Sequence, residues 1–166
     1  GHPMAAILGT AAAMEGAQKS FISSAFWTEA IGPAAALAVL DKMQRVDVPA
    51  HIAKMGSLVL NLWKSAAKKH SLPLILEKGY PSMARCRFDH PLANELKTLF
   101  TQLMLERGFL AGLLFSPTLG HNEEILERYA DALDGVFAEI AKAISSGKIR
   151  EALKGPPAHS GFQRLL

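Results

Sequence analysis

A chain of 166 residues, 49% hydrophobic and 20% charged, carries enough apolar surface for a folded domain with a core and is too apolar to be disordered. Its formal charge of +3 and pI near 9.1 have one local source, Lys64, Lys68, Lys69 and His70; these end a helix, where cations complement the macrodipole, and no aromatics are interleaved to stack on bases, so no nucleic-acid partner is expected. No apolar run approaches the ~18 residues that span a bilayer, and the first residues lack a basic region followed by an apolar core, so no membrane partner and a cytoplasmic location are expected.

In chain order, the apolar run over residues 4–9 (MAAILG) lacks alternation, as does a strand buried on both faces in a parallel sheet. Such a strand needs neighbours. Residues 10–19 read as a short helix and the next strand patterns follow residue 73, so the run is expected to be the last piece of a larger sheet lying upstream. Gly32 as cap and Pro33 at the first helical position predict a helix over 33–45, rich in small side chains. A second helix is expected over 49–70, with Ile52, Met55, Val59, Leu62 and Ala66 on one apolar stripe and Trp63 packed beside it. Residues 74–76 and 83–88 read as strands about a turn at 79–82. Ala84, Cys86 and Phe88 would face a core and Met83, Arg85 and Arg87 the other side, the pattern of an antiparallel sheet with one covered face. Arg85 and Arg87 either bind an anion or solubilise that open face.

A third helix over 91–107 would bury Leu92, Leu96, Leu99, Phe100 and Leu103 and end at Gly108. Short strands are expected at 109–111 and 113–115, then a turn over 116–121. Asn122 caps the last long helix, Glu123 and Glu124 lie in its first turn, and Ile125, Tyr129, Ala132, Val136 and Ile140 form its buried stripe until Gly147 stops it. A short helix over 148–153 and a mobile tail from Gly155 complete the chain. The expected fold class is α+β: an antiparallel sheet with helices on one face, over residues 46–145.

Catalytic signals are sparse. The lone Cys86 excludes an internal disulfide and a cysteine-based metal cluster, the six histidines show no metal-ligand spacing, and neither a Ser-His-Asp pattern nor a glycine-rich phosphate loop is present. The stretch from Phe26 to Pro33 is the exception. Ser23, Ser24 and Thr28 put hydroxyls just before a helix N-terminus, where they either satisfy orphan N–H groups as caps or join them in holding an anion such as phosphate.

The run WTEAIGPAAA over 27–36, preceded by GHPMAAILG over 1–9, resembles the second half of a class III (fold-type I) pyridoxal-phosphate-dependent aminotransferase, and is most similar to the glutamate-1-semialdehyde aminotransferase-like branch. LMLERGFLA over 103–111 resembles that family's passage from helix to strand, and GHNEEILER over 120–128 the beginning of its final helix. The resemblance covers nearly all of the chain before residue 145.

It implies that residues 1–45 are a remnant of the large cofactor-binding domain with the interdomain helix, 46–145 the small C-terminal domain, and 146–166 a short helix and mobile tail. It implies pyridoxal 5'-phosphate as cofactor, a homodimer, and a small-molecule amino donor and carbonyl acceptor as substrates. Thr28 matches the threonine that crosses the dimer interface to the cofactor phosphate, with the Trp27 backbone beside it. The catalytic lysine, the partner of the pyridine nitrogen, the ring-stacking aromatic and the main phosphate loop would lie before residue 1. No catalytic residue is therefore expected here, and the chain alone is expected to be inactive. The semialdehyde aminomutases carry a glutamate where an ungapped count back from His121 puts Leu113, which favours an aminotransferase. A non-catalytic binding or oligomerisation module is the other reading; it requires residues 1–30 to fold within this chain.

Overall fold

The computed structural model describes residues 2–22, 26–159 and 161, and the chain divides into two compact units, Gly1–Asp47 and Val48–Leu166. In the first unit, Thr10 caps α1 (Ala11–Met14) by accepting a hydrogen bond from the Ala13 N–H at 3.3 Å, and a 3-10 turn, Glu15–Lys19, follows. Residues 4–9 form no strand, against the expectation from their apolar run. Ile7 and Leu8 are 61% and 90% exposed. Apolarity demands burial but supplies no partner, and among the described residues this unit offers no second strand to complete a ladder.

Helix α2 (Ile31–Arg45) begins earlier than the Gly32 cap predicted, because Ala30 is its N-cap and the Ala30 carbonyl accepts from the Ala34 N–H at 3.0 Å. Gly32 and Pro33 thus sit inside the first turn, where the N–H that proline lacks would have had no intrahelical acceptor. Gly32 is the one buried residue among those described in this unit. A Cβ there would stand 3.1 Å from the Pro3 carbonyl oxygen. Leu37, Val39, Leu40 and Met43 remain exposed along α2. With so little buried, the backbone amides of residues 5–22 are expected to exchange with solvent far faster than those of residues 96–100. Equal protection of the two stretches in monomeric protein would refute this.

The second unit comprises α3 (Val48–Lys69), β1 (Leu74–Leu76), β2 (Ala84–Phe88), α4 (Ala93–Glu106), β3 (Leu114–Phe115) and α5 (Glu123–Ser145). The strands form an antiparallel three-stranded sheet in the order β1-β2-β3, with Ile75 opposite Arg87 and Arg85 opposite Leu114. The alternation of β2 is as predicted: Ala84, Cys86 and Phe88 are buried while Arg85 and Arg87 are exposed. Met83 belongs instead to a 3-10 turn, Pro81–Met83. Residues 109–111 are not a strand. Gly108 turns the chain at φ +83°, and the N–H groups of Phe109 and Ala111 are spent locally on the carbonyls of Met104 and Phe109.

Helices α3, α4 and α5 and the inner sheet face enclose one core. Its deepest side chains are Trp63, Phe100 and Phe137, with Leu96, Leu99, Met104, Leu133 and Ile140 around them. The buried line of α3 runs through Met55, Gly56, Val59, Trp63 and Ala67, so Ile52, Leu62 and Ala66 lie at its margin, half-buried. On α5 it runs through Leu126, Tyr129, Leu133, Val136, Phe137 and Ile140, with Ile125 and Ala132 at the margin. Both shifts have one cause. The helices are approached from two sides, by each other and by the sheet or α4, which widens the buried arc beyond a single stripe.

Asn122 caps α5 as expected, its side-chain oxygen accepting from the Ile125 N–H at 2.9 Å. Asn122→Ala should lower the unit's stability by about 1 kcal/mol in chemical denaturation, the usual cost of removing such a cap; an unchanged midpoint would mean that the cap is idle. Beyond α5, residues 148–153 form turns rather than the expected helix. The tail is not loose through residue 158. Ile149 is buried, the Lys154 N–H donates to Gln102 Oε1 at 2.8 Å, and the Ala158 N–H donates to Thr98 Oγ1 at 2.8 Å. Polar side chains on α4 thus hold a segment whose glycine and prolines had signalled mobility.

Candidate functional site

Trp27 and Thr28 occupy a turn in which the Glu29 N–H donates to the Phe26 carbonyl at 3.4 Å. Both are exposed, Trp27 to 81%. Ser23 and Ser24, the other hydroxyls of the suspected anion site, lie outside the described residues. The hollow beside the turn, about 160 Å³, is lined by Pro3, Met4, Ala5, Phe26, Glu29, Gly32 and Pro33. Among the described residues its one charged group is an acid, Glu29. Among the described residues, what the turn offers a phosphate is a single hydroxyl with nearby backbone N–H groups, a fit for one edge of the anion.

The second unit holds no candidate metal centre among its described residues. Its basic cluster is half engaged: Asp134 on α5 accepts from Lys69 at 2.8 Å and from His70 Nε2 at 2.8 Å, and those two hydrogen bonds hold the aspartate below its ordinary pKa. On the open sheet face, Arg87 pairs with Asp89 at 3.5 Å, and Arg85 and Arg87 line one shallow hollow with Glu77 and Lys97. Beneath them, burial, with a smaller contribution from Glu77, pushes the Cys86 thiol up to about 12, which makes it a poor nucleophile. Leu113, the position compared with the aminomutase glutamate, packs half-buried against the core, and its carbonyl accepts from the Cys86 N–H at 3.0 Å.

One constellation has no local sequence signal. Trp63 Nε1 donates to the Tyr129 hydroxyl oxygen at 2.8 Å, in the wall of a cavity of about 260 Å³ between α3, α5 and the segment 109–116. His121 closes another side, its ring edge-on to Phe115 at 4.9 Å, while His51 Nε2 donates to the His121 carbonyl at 2.9 Å. Trp63 and Tyr129 are far apart in the chain, and each reads alone as helix packing; only the crossing of α3 and α5 joins them.

No family model matches the chain. It is 30% identical over 138 residues to the 2'-deamino-2'-hydroxyneamine transaminase of Streptomyces kanamyceticus, a match that takes in 80% of the chain and 35% of the transaminase. Its fold matches the pyridoxal phosphate internal aldimine form of the FumI protein of Sphingopyxis sp. MTA144 with a TM-score of 0.72, over 84% of this chain and 34% of that one, at 18% identity. The chain spans about a third of the length of each. Sequence and fold thus point the same way as the motif resemblance: the chain is similar in sequence to part of a transaminase and shares its fold with part of a pyridoxal phosphate enzyme. Along its length no helix among the described residues is long and apolar enough to cross a membrane.

Proposed function

We propose that this chain is the C-terminal part of a class III, fold-type I aminotransferase of the glutamate-1-semialdehyde aminotransferase-like branch, acting in the cytoplasm as a homodimer on a small-molecule amino donor and a carbonyl acceptor. In this reading residues 1–45 come from the large domain and α2 links it to the small domain, whose sheet and helices are the second unit. The single observation that carries the reading is the joint match: the same stretch resembles a transaminase in sequence and a pyridoxal phosphate enzyme in fold, each over about a third of its length. The exposed apolar residues of the first unit, among them Leu8, Trp27 and Leu37, support it, because surfaces of that kind mark an interface.

Bound pyridoxal phosphate supplies the electron sink of transamination. This chain's own part is to hold and position: the Thr28 hydroxyl donates to the phosphate from across the dimer interface, and the Trp27 backbone lies beside it. None of the lysines matches the family's catalytic position, so the chain alone binds no cofactor covalently. The test is the reading frame upstream of the first codon. Some 250 further in-frame codons of the length expected for an α/β large domain, with a lysine shortly before Gly1, are the expected result; an in-frame stop without them would defeat the proposal and favour a stand-alone binding module. Leu113 supports transfer between two substrates over the aminomutase reaction, since no carboxylate stands there.

A further inference from the structure

The cavity between α3, α5 and the segment 109–116 has features that fit a particular kind of ligand. It measures about 260 Å³, and among the described residues no lysine, arginine, aspartate or glutamate lines it. A phosphate, carboxylate or ammonium placed there would give up its hydration with no opposite charge to replace it, which is prohibitive. The walls are apolar and aromatic, chiefly Val59, Phe109, Phe115, Ile125 and Leu126. An apolar cavity of about 150 Å³ is enough for benzene, so this one accommodates a ring with a short substituent.

Polar specificity comes from Tyr129. An indole N–H can only donate, so in its bond with Trp63 the phenol oxygen is the acceptor and the phenol proton is left uncommitted. Tyr129 is 9% exposed and makes no other hydrogen bond among the described residues. Burial holds its pKa far above the ordinary phenol value, so the proton stays in place. His121 adds to the same polarity. Its Nδ1 accepts from the Thr118 N–H at 3.0 Å, which leaves Nε2 as the ring's donor. Tyr129 and His121, both among the lining residues, thus each carry a donor not used in these bonds.

We propose that this cavity binds a small uncharged molecule with an apolar body and one carbonyl oxygen, which accepts the hydroxyl proton of Tyr129. The probes are acetophenone and ethylbenzene, alike in size and differing in the carbonyl, titrated into the 166-residue chain and followed by NMR shifts of Phe109, Phe115 and Tyr129. Saturable shifts are expected with both, acetophenone binding about tenfold more tightly for its one hydrogen bond. In Tyr129→Phe the two should bind alike. Absence of saturable shifts at these rings, or a preference for acetophenone that survives Tyr129→Phe, would overturn the assignment. Because Tyr129→Phe also strips Trp63 of its acceptor, Ala111→Phe serves as an independent arm: it leaves the Trp63–Tyr129 bond in place, fills the cavity and should abolish binding of both probes. Undiminished binding to that variant would place the ligand elsewhere and equally refute the proposal.

Discussion

Gly56→Ala should destabilise the second unit by about 3 kcal/mol, near the upper end of what overpacking costs. Alanine is the better helix former by about 1 kcal/mol, so propensity alone predicts the opposite sign. Contact decides. Gly56 is buried in the middle of α3, and a Cβ built on it would lie 1.9 Å from the carbonyl oxygen of Pro81 and 2.5 Å from its carbonyl carbon. Those atoms belong to the backbone of the 3-10 turn before β2, which no rotamer change can move aside. The turn must shift, and with it the start of a strand whose Ala84 and Cys86 are in the core. A midpoint lowered by on the order of 10 °C or more is expected in thermal unfolding. Gly135→Ala is the control. Also inside a helix, α5, its nearest contact would be the Arg107 guanidinium at 3.5 Å, ordinary van der Waals distance from a flexible side chain. It should stabilise by about 0.5–1 kcal/mol through propensity alone. If both variants move the same way, the close approach of α3 to the Pro81 turn is wrong.

Gly56 also shows where sequence reading stops. A glycine inside a helical pattern announces only a lower propensity; that a second backbone needs the space is a fact about two segments 25 residues apart. Trp63 and Tyr129 are alike in this respect, each legible as packing, their bond and cavity legible only after α3 and α5 cross. By contrast, the alternation of β2 and the Asn122 cap were readable because each is set by residues within four positions of one another, on a period of two or across one helical turn. The run over residues 4–9 failed for a related reason: a strand is a property of a pair, and periodicity describes one member. The tail after Gly147 failed in the opposite direction. The helix expected over 148–153 is a run of turns, and the glycine and prolines beyond it could not reveal that Asn94, Thr98 and Gln102 present side-chain groups to the backbone there.

Thr28→Ala, in the longer aminotransferase proposed above, is expected to weaken pyridoxal phosphate binding roughly ten- to hundredfold while leaving the fold unchanged. A hydroxyl donating to a phosphate makes a charge-assisted hydrogen bond worth about 1.5–3 kcal/mol, and each ~1.4 kcal/mol is a factor of ten. The fold should be indifferent because Thr28 is exposed on its turn and the turn's bond, from the Glu29 N–H to the Phe26 carbonyl, uses backbone atoms alone. Thr28→Ser keeps the hydroxyl and should lie close to the parent protein, whereas Thr28→Val keeps the shape without the donor and should behave as alanine does. The hollow beside the turn sharpens this contrast, since among the described residues its only charged lining group is Glu29 and no cation there compensates for a lost donor. Cofactor titration of the apo form, read by absorbance, measures all three variants on one scale. Affinities that do not separate Ser from Val would remove Thr28 from the cofactor site, even if the chain's kinship with the aminotransferases stands.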